Sequence, residues 1–348
     1  MSEGALNGVW LGRQSSLGTA VTTTTRFPVD AGFLGFDIDR ATESPNEDFG
    51  SVSREYAGRS SHGVRWATAS LPFVARFEDI VHMFEMHVAK ISGGTPTGTA
   101  SPYTWTYTFD DTTGSLATAL KPYTLEYGVA GSTQDEWRAT GVIADTLELG
   151  FDALTAPGNS MWKGTASLVA VNRAPNTVPG TAVAPSTLET MEGHLTALYE
   201  GSSSTAFASL TELGGSLKSF KFTSNLHAQG RAYGGTALTS DIATDIGRSD
   251  KSDIGFEAMI GINSTSKTDI HDIYAVSGPI PTDRRWRIKV IGTGVNAMTI
   301  DARVAFRSVQ VGDHEDERLY LVTGQFVRDS TLSGRGQITL TNAVATIP

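Results

Sequence analysis

Residues 123–173 decide the reading: YTLEYG (123–128), EWRATGVIADTLELGFD (136–152) and MWKGTASLVAVNR (161–173). Turn-forming residues separate these three strand-like runs, first Gly131-Ser132 and then Ala156-Pro157-Gly158-Asn159. In the middle run Ile143, Leu147, Leu149 and Phe151 share one parity, while Thr146, Glu148 and Gly150 share the other. A period of two is the signature of an antiparallel strand with one buried face. The same order of elements returns later in the chain, so the expected architecture is a duplicated β-protein.

Toward the N-terminus, Tyr103, Trp105, Tyr107 and Phe109 alternate with Thr104, Thr106 and Thr108, which predicts an aromatic strand. Residues 77–88 (FEDIVHMFEMHV) predict a helix, because Ile80, Met83, Phe84 and Val88 recur at i, i+3, i+4 and i+8. Glu78 and Asp79 suit its first turn. Barely three turns long, it must dock against a sheet to persist. Residues 64–73 and 33–38 predict two more strands. Between them, residues 39–62 form a polar, glycine-dotted stretch holding Phe49, Arg54 and Tyr56. A loop of ~24 residues without structure is uncommon in a compact domain and points to function. Residues 1–30 read as an extended arm or edge strand.

Toward the C-terminus, residues 174–189 turn proline-rich and polar, predicting a boundary between domains at 1–178 and 179–348. Beyond it the plan repeats. Residues 217–226 answer 33–38, residues 227–251 answer 39–62, and the alternating Ile254, Phe256, Ala258 and Ile260 answer 64–73. TDIHDIYA (268–275) echoes EDIVHMFE, with Asp269-Ile270 on Asp79-Ile80 and a helix expected in each half. WRIKVIG, MTIDARVAFRSVQVG and ERLYLVTGQFVRD then stand where the three opening runs stood, and GQITLTNAV is a last strand.

Composition narrows the function. The chain has 348 residues, no cysteine, 27 Lys+Arg and 37 Asp+Glu. Absent cysteine excludes disulfides, thiolate metal sites and a cysteine nucleophile. Duplex DNA carries about one negative charge per 1.7 Å, and its binders neutralise several phosphates with Lys and Arg. A chain of net charge −10 is poorly suited to gripping DNA, yet suited to letting it pass. MSEGALNGVWLG carries no basic region before an apolar run, and no run of 18 apolar residues predicts a membrane helix.

No catalytic constellation emerges. His82 and His87 stand five apart on the predicted helix, unlike the i, i+4 pair of a zinc protease, and read as solvated or core-edge side chains. Residues 313–317 (DHEDE) lack the ligand spacing of a calcium loop and read as a hairpin tip. GTGVNA at Gly292 has no third glycine, so it fails as a dinucleotide fingerprint. The basic run Asp283-Arg284-Arg285-Trp286-Arg287 reads as a subunit contact or edge protection. Asn263-Ser264-Thr265 matches a glycosylation acceptor without a secretory route to use it.

With these elements in place, the chain resembles the major tail tube proteins of long-tailed, siphovirus-type bacteriophages, in the branch with two tube-type domains. The carriers are PYTLEYG, EWRATGVIADTLELGFD and WKGTASLVAVNR in the first half, FEDIVHMFEM upstream of them, and GQITLTNAV in the second half. The likeness spans residues 64–344 and lies in the order of elements. It implies a mainly β fold of two tandem antiparallel sandwich or barrel domains, each with one short flanking helix. It also implies a virion protein without enzymatic activity or cofactor, assembled in the host cytoplasm. Three chains would form a pseudo-sixfold ring, and rings would stack into the hollow tube that carries DNA during ejection. A tape-measure protein and a tail terminator are the implied partners. On this reading Phe49, Arg54 and Tyr56 make contacts between rings, residues 227–251 are a second contact, and Glu148 and Asp301 line the lumen with negative charge.

Two other readings stay open. One is a tail ring protein such as a terminator, which stops at a single ring. The other is a β-sandwich binding module that offers the aromatic strand 103–109 to sugars.

Overall fold

The computed structural model describes residues 8–30, 33–43, 61–88, 90–91, 96–98, 100–109, 121–128, 136–154, 160–176, 188–214, 216–231, 245–247, 253–272, 274, 283–314, 317–345 and 347. The chain is mainly β, a large antiparallel assembly with two short helices. The first half holds β1 (Gly8–Arg13), β2 (Thr25–Phe27), β3 (Asp37–Glu43), β4 (Ser61–Val74), helix α1 (Ile80–His87), β5 (Lys90–Ile91), β6 (Tyr103–Phe109), β7 (Tyr123–Gly128), β8 (Glu136–Asp152), β9 (Lys163–Ala170) and β10 (Asn172–Pro175). The second holds β11 (Thr196–Ser202), β12 (Thr211–Glu212), β13 (Leu217–Asn225), β14 (Gln229–Arg231), β15 (Asp245–Gly247), β16 (Asp253–Gly261), β17 (Arg284–Ile291), β18 (Ala297–His314), β19 (Glu317–Val327) and β20 (Gly336–Asn342). A short helix, Ser264–Ser266, follows β16 and continues through Lys267–Asp272.

One long sheet runs through both halves in the order β3-β4-β9-β8-β13-β16-β19-β18, every neighbour antiparallel. Its first four strands and its last four repeat one scheme. Two shorter sheets repeat another: β2-β1-β7-β8-β10 in the first half and β12-β11-β17-β18-β20 in the second. The second is extended by β6 and β5, so a first-half hairpin covers the edge of β20. β8 and β18 each begin in a short sheet and end in the long one. In β8 the crossing falls at Gly141, whose φ of +65° glycine adopts without strain.

The faces turned inward meet in one apolar core that includes residues of both halves, such as Phe84, Leu149, Phe222, Phe256 and Trp286. Clean alternation builds it where one face is wet: in β13 Phe220 and Phe222 point inward, while Lys221 and Thr223 do not. A bulge interrupts the β8 pattern. Asp145 is the extra residue, so Leu147 and Leu149 join the main core while Ile143, of the same parity, joins a separate cluster with Val169, Val171, Leu226 and Ala228.

Three expectations need correction. Residues 8–13 are no arm: β1 sits between β2 and β7 with Val9, Trp10 and Leu11 buried. Both faces are covered, so no alternation marks the strand. Residues 33–36 are not strand, and the ladder instead runs through the polar residues 37–43, because main-chain pairing tolerates any side chain at an edge. Helix α1 is buried on every side, His82, Glu85 and His87 included, rather than amphipathic.

Candidate functional site

The long sheet turns one face to the core; the other is covered around Ile143 and Val169 by Leu226 and Ala228 and is open to solvent elsewhere. Cross-strand rows on the solvent face can be read from the register. One row runs Lys163, Gly150, Lys221, Glu257, Thr323, Ser308, and the next runs Thr165, Glu148, Thr223, Gly255, Gln325. A groove of about 710 Å³ follows these rows. Ser160, Ser219 and Thr323 line it beside the apolar Met161, Met259 and Leu321, and its acids Glu148, Asp152 and Glu257 outnumber Lys163 and Lys221. Such a face offers no cationic track for a polyanion.

Glu148 therefore stands on this face, 3.4 Å from Lys221 of β13, both side chains nearly half exposed. Asp301 does not join it. It lies in the part of β18 that belongs to the short sheet, buried, accepting hydrogen bonds from Arg287 Nε (2.7 Å) and Nη2 (2.8 Å). The Asp301 charge is thus neutralised inside the protein. Phe49, Arg54 and Tyr56 lie outside the described residues. The segments flanking them are paired strands, with Glu43 opposite Ser61.

The stretch expected as a second contact begins as a strap across the halves. The Leu226 N–H donates to the Asp145 carbonyl (2.8 Å), the Ala228 N–H donates to the Asp145 carboxylate, and β14 lies against β4 and β9. Burial pushes the Asp145 carboxyl up from its ordinary range, opposed by that Ala228 N–H.

Both ends of the long sheet lack a neighbouring strand among the described residues. At one end stands the outer edge of β3. At the other stands β18 beyond Val304, where β17 stops. Large apolar side chains are exposed at both: Leu34 (93%) and Ile38 (49%) at the first, Val311 (47%) at the second.

The remaining features resolve into internal packing. Each arginine of the basic run has its own acid: Arg284 binds Glu200 of β11 (2.8 and 2.6 Å), Arg285 binds Asp329 beyond the end of β19 (2.9 and 3.1 Å) and Arg287 binds Asp301, directly opposite it on β18. The run is therefore a set of internal ion pairs rather than a subunit contact or edge protection, since β17 lies between β11 and β18 and each guanidinium meets a carboxylate of its own chain. Trp105, Tyr107 and Phe109 of the aromatic strand are buried. His87 bonds the Ala144 carbonyl (3.0 Å) and Ser224 Oγ (2.8 Å), and His82 meets the Tyr123 hydroxyl (3.3 Å). Both histidines are core side chains. Among the described residues no cluster could hold a metal, and no helix is long and apolar enough to cross a membrane.

One titratable group on α1 stands out. Glu85 is fully buried, with Arg13 Nη2 3.4 Å from Oε2 and neither carboxylate oxygen hydrogen-bonded. Burial pushes its carboxyl up to about 7 despite the opposing charges of Arg13 and Lys121. Burial also lifts Asp79 to about 7, and burial with the Arg13 charge holds His82 down at about 4. None of these residues lines the groove, so no substrate on the open face would meet them.

No protein-family model matches the chain, and no curated protein matches it at a significant level.

Proposed function

We propose that this chain is a structural virion protein of the tail-tube type, with tandem β-domains at 1–178 and 179–348. Three chains close into a pseudo-sixfold ring, and rings stack into a hollow tube through which DNA passes during ejection. One observation carries the reading. The long sheet repeats a four-strand scheme, joins the two repeats by pairing β8 with β13, and among the described residues leaves β3 and the end of β18 without a neighbouring strand. Within the repeat, those open edges are the counterparts of β13 and β8. A second copy can therefore add by the contact the chain already makes within itself.

Such a head-to-tail contact is heterologous, and it forms a ring when its rotation closes. Open edges demand this kind of cover. Three sheets of eight strands would make a barrel of ~24 strands, against the 16–18 that already leave an aqueous channel in porins. At about 4.8 Å per strand the barrel would be roughly 37 Å across before strand tilt widens it. The hydroxyl-rich, acid-leaning face would line the bore and discourage DNA from adhering. The virion tail is then its location, the host cytoplasm its place of assembly, and a tape-measure protein and a terminator its partners, as the family resemblance implies.

A sugar-binding module is disfavoured because Trp105, Tyr107 and Phe109, three of the four rings of that strand, are buried in the core. A single-ring terminator differs by not polymerising.

Negative-stain microscopy with light scattering tests the proposal. Three-chain rings or hollow tubes are the expected result, and six-chain rings would reject the pseudo-sixfold arrangement while keeping the tube. A monomer that never associates, even concentrated, overturns the reading. Removing residues 44–60, which leaves β3 and β4 intact, should give rings that no longer stack; normal tubes would remove that stretch from the ring-to-ring contact.

A further inference from the structure

We infer that β18 of one copy pairs with β3 of the next in a defined register, with Val309 opposite Ile38 and Val311 opposite Phe36. The inference rests on the assembly reading and supplies the joint that reading requires.

Two bulges allow the halves to be aligned residue by residue. In the β8–β9 pair the ladder shifts between Ala144 and Thr146, and in the β18–β19 pair it shifts between Phe306 and Ser308. Placing Asp145 on Arg307 sets Leu147 on Val309, Leu149 on Val311 and Gly150 on Gly312. The partners carry the alignment outward. Leu168 pairs with Ala69 where Gly324 pairs with Phe256, so Ala69 falls on Phe256. Thr68 pairs with Asp37 where Gly255 pairs with Thr223, so Asp37 falls on Thr223, Phe36 on Phe222 and Ile38 on Ser224.

Inside the chain, Phe222 stands opposite Leu149 and Ser224 opposite Leu147. Transferred to the open edges, these pairs become Phe36–Val311 and Ile38–Val309.

Exposure supports the transfer independently. Ile38 and Val311 lie on the core-facing parity of their strands, yet they are 49% and 47% exposed. Their counterparts at the closed joint, Ser224 and Leu149, are 1% and 0% exposed. Core-facing apolar side chains left open at two complementary edges mark a core that continues into a neighbour of the same kind. A slip by one residue would turn both onto the solvent face.

The chain has no cysteine, so paired substitutions report the register directly. Two in-register variants are used, Ile38→Cys with Val309→Cys, and Asp37→Cys with Gln310→Cys. Successive cross-strand pairs alternate between close and wide geometry, so one of the two suits a disulfide. The second pair lies on the solvent face and leaves the core untouched should the first impair folding. Ile38→Cys with Val311→Cys, and Leu34→Cys with Val311→Cys, represent slips of two residues in either direction.

After oxidation of the assembled protein, a non-reducing denaturing gel should show a covalent ladder ending at three chains. At least one in-register pair should cross-link tenfold more than either slip. A ladder past three supports the register and overturns three-chain closure. Assembly with preferential cross-linking of a slipped pair, or of any single-cysteine variant, overturns the register and leaves the assembly reading standing. Variants that fold but stay monomeric by light scattering, without cross-links, overturn both.

Discussion

β8 and β18 occupy the same place in the two halves, carry the same bulge and pass from a short sheet into the long one. Yet Leu149 is buried and its counterpart Val311 is not. The strands are alike; the neighbour differs. β8 has β13 beside it, and the end of β18 has no strand beside it among the described residues. Burial in a sheet is thus a property of the pair, and a strand whose core-facing side chain stays wet is an unfinished contact.

The closed joint should be the most fragile place in the isolated chain. Phe222→Ala removes a buried ring from it and should cost about 3–5 kcal/mol, read from the denaturant midpoint. Val311→Ala should cost under about 0.5 kcal/mol there, yet weaken assembly by light scattering. Equal costs in the monomer would erase the contrast between closed and open edges.

The two helices sharpen the comparison next. α1 buries Glu85, whereas Ser264–Ser266 is capped reciprocally through Asn263 and has only Ser266 buried. Folding raises the Glu85 pKa, so the folded state holds the proton more tightly. Its stabilising contribution is full below an unfolded value near 4.5 and is lost as pH rises through about 7. The stability difference between wild type and Glu85→Gln should therefore fall by about 3 kcal/mol between pH 4.5 and pH 8. Asp79 adds a slope of the same sign, and His82, held down, one of the opposite sign below about 6.5; both cancel in the difference. A pH-independent difference would exclude Glu85 as the source.

Glycines at the two edges give a smaller test. A Cβ on Gly150 would meet the Phe220 carbonyl at 2.3 Å and Lys221 Cα at 2.7 Å, both backbone atoms of β13. On Gly312 the three nearest atoms would all belong to the Leu321 side chain, the first at 2.6 Å. Gly150→Ala should cost about 1–3 kcal/mol and Gly312→Ala less than that, by thermal melting. The reverse order would mean that β13 yields more easily than one leucine. Smallest of all, Glu148→Gln breaks only a half-exposed pair and should change stability by less than about 1 kcal/mol in the same melt.

Much of this fold was legible wherever a strand has one wet face. The alternation in β13, β16 and β20 marks their inward sides, and the spacing of Ile80, Met83 and Phe84 marks a helix. β1 escaped because its neighbours bury both faces and leave no period to see. Ile143 shares the parity of Leu147 and Leu149 yet packs in another cluster, because one bulge residue reverses the faces, and a bulge has no signal of its own in the sequence. Glu148 and Asp301 were grouped as acids on strands, but parity does not say which sheet a strand is in halfway along its length.

By itself the sequence determined the mainly β character and the recurring order of elements, because both rest on local periodicity. Only the tertiary structure decided which strands are neighbours, that one core includes residues of both halves, and that β3 and the end of β18 have no neighbouring strand among the described residues. The reason is physical. Periodicity is set by a residue and the two or three beside it. Pairing is set by main-chain groups that are the same in every residue and by contacts more than a hundred positions apart, such as β6 with β20.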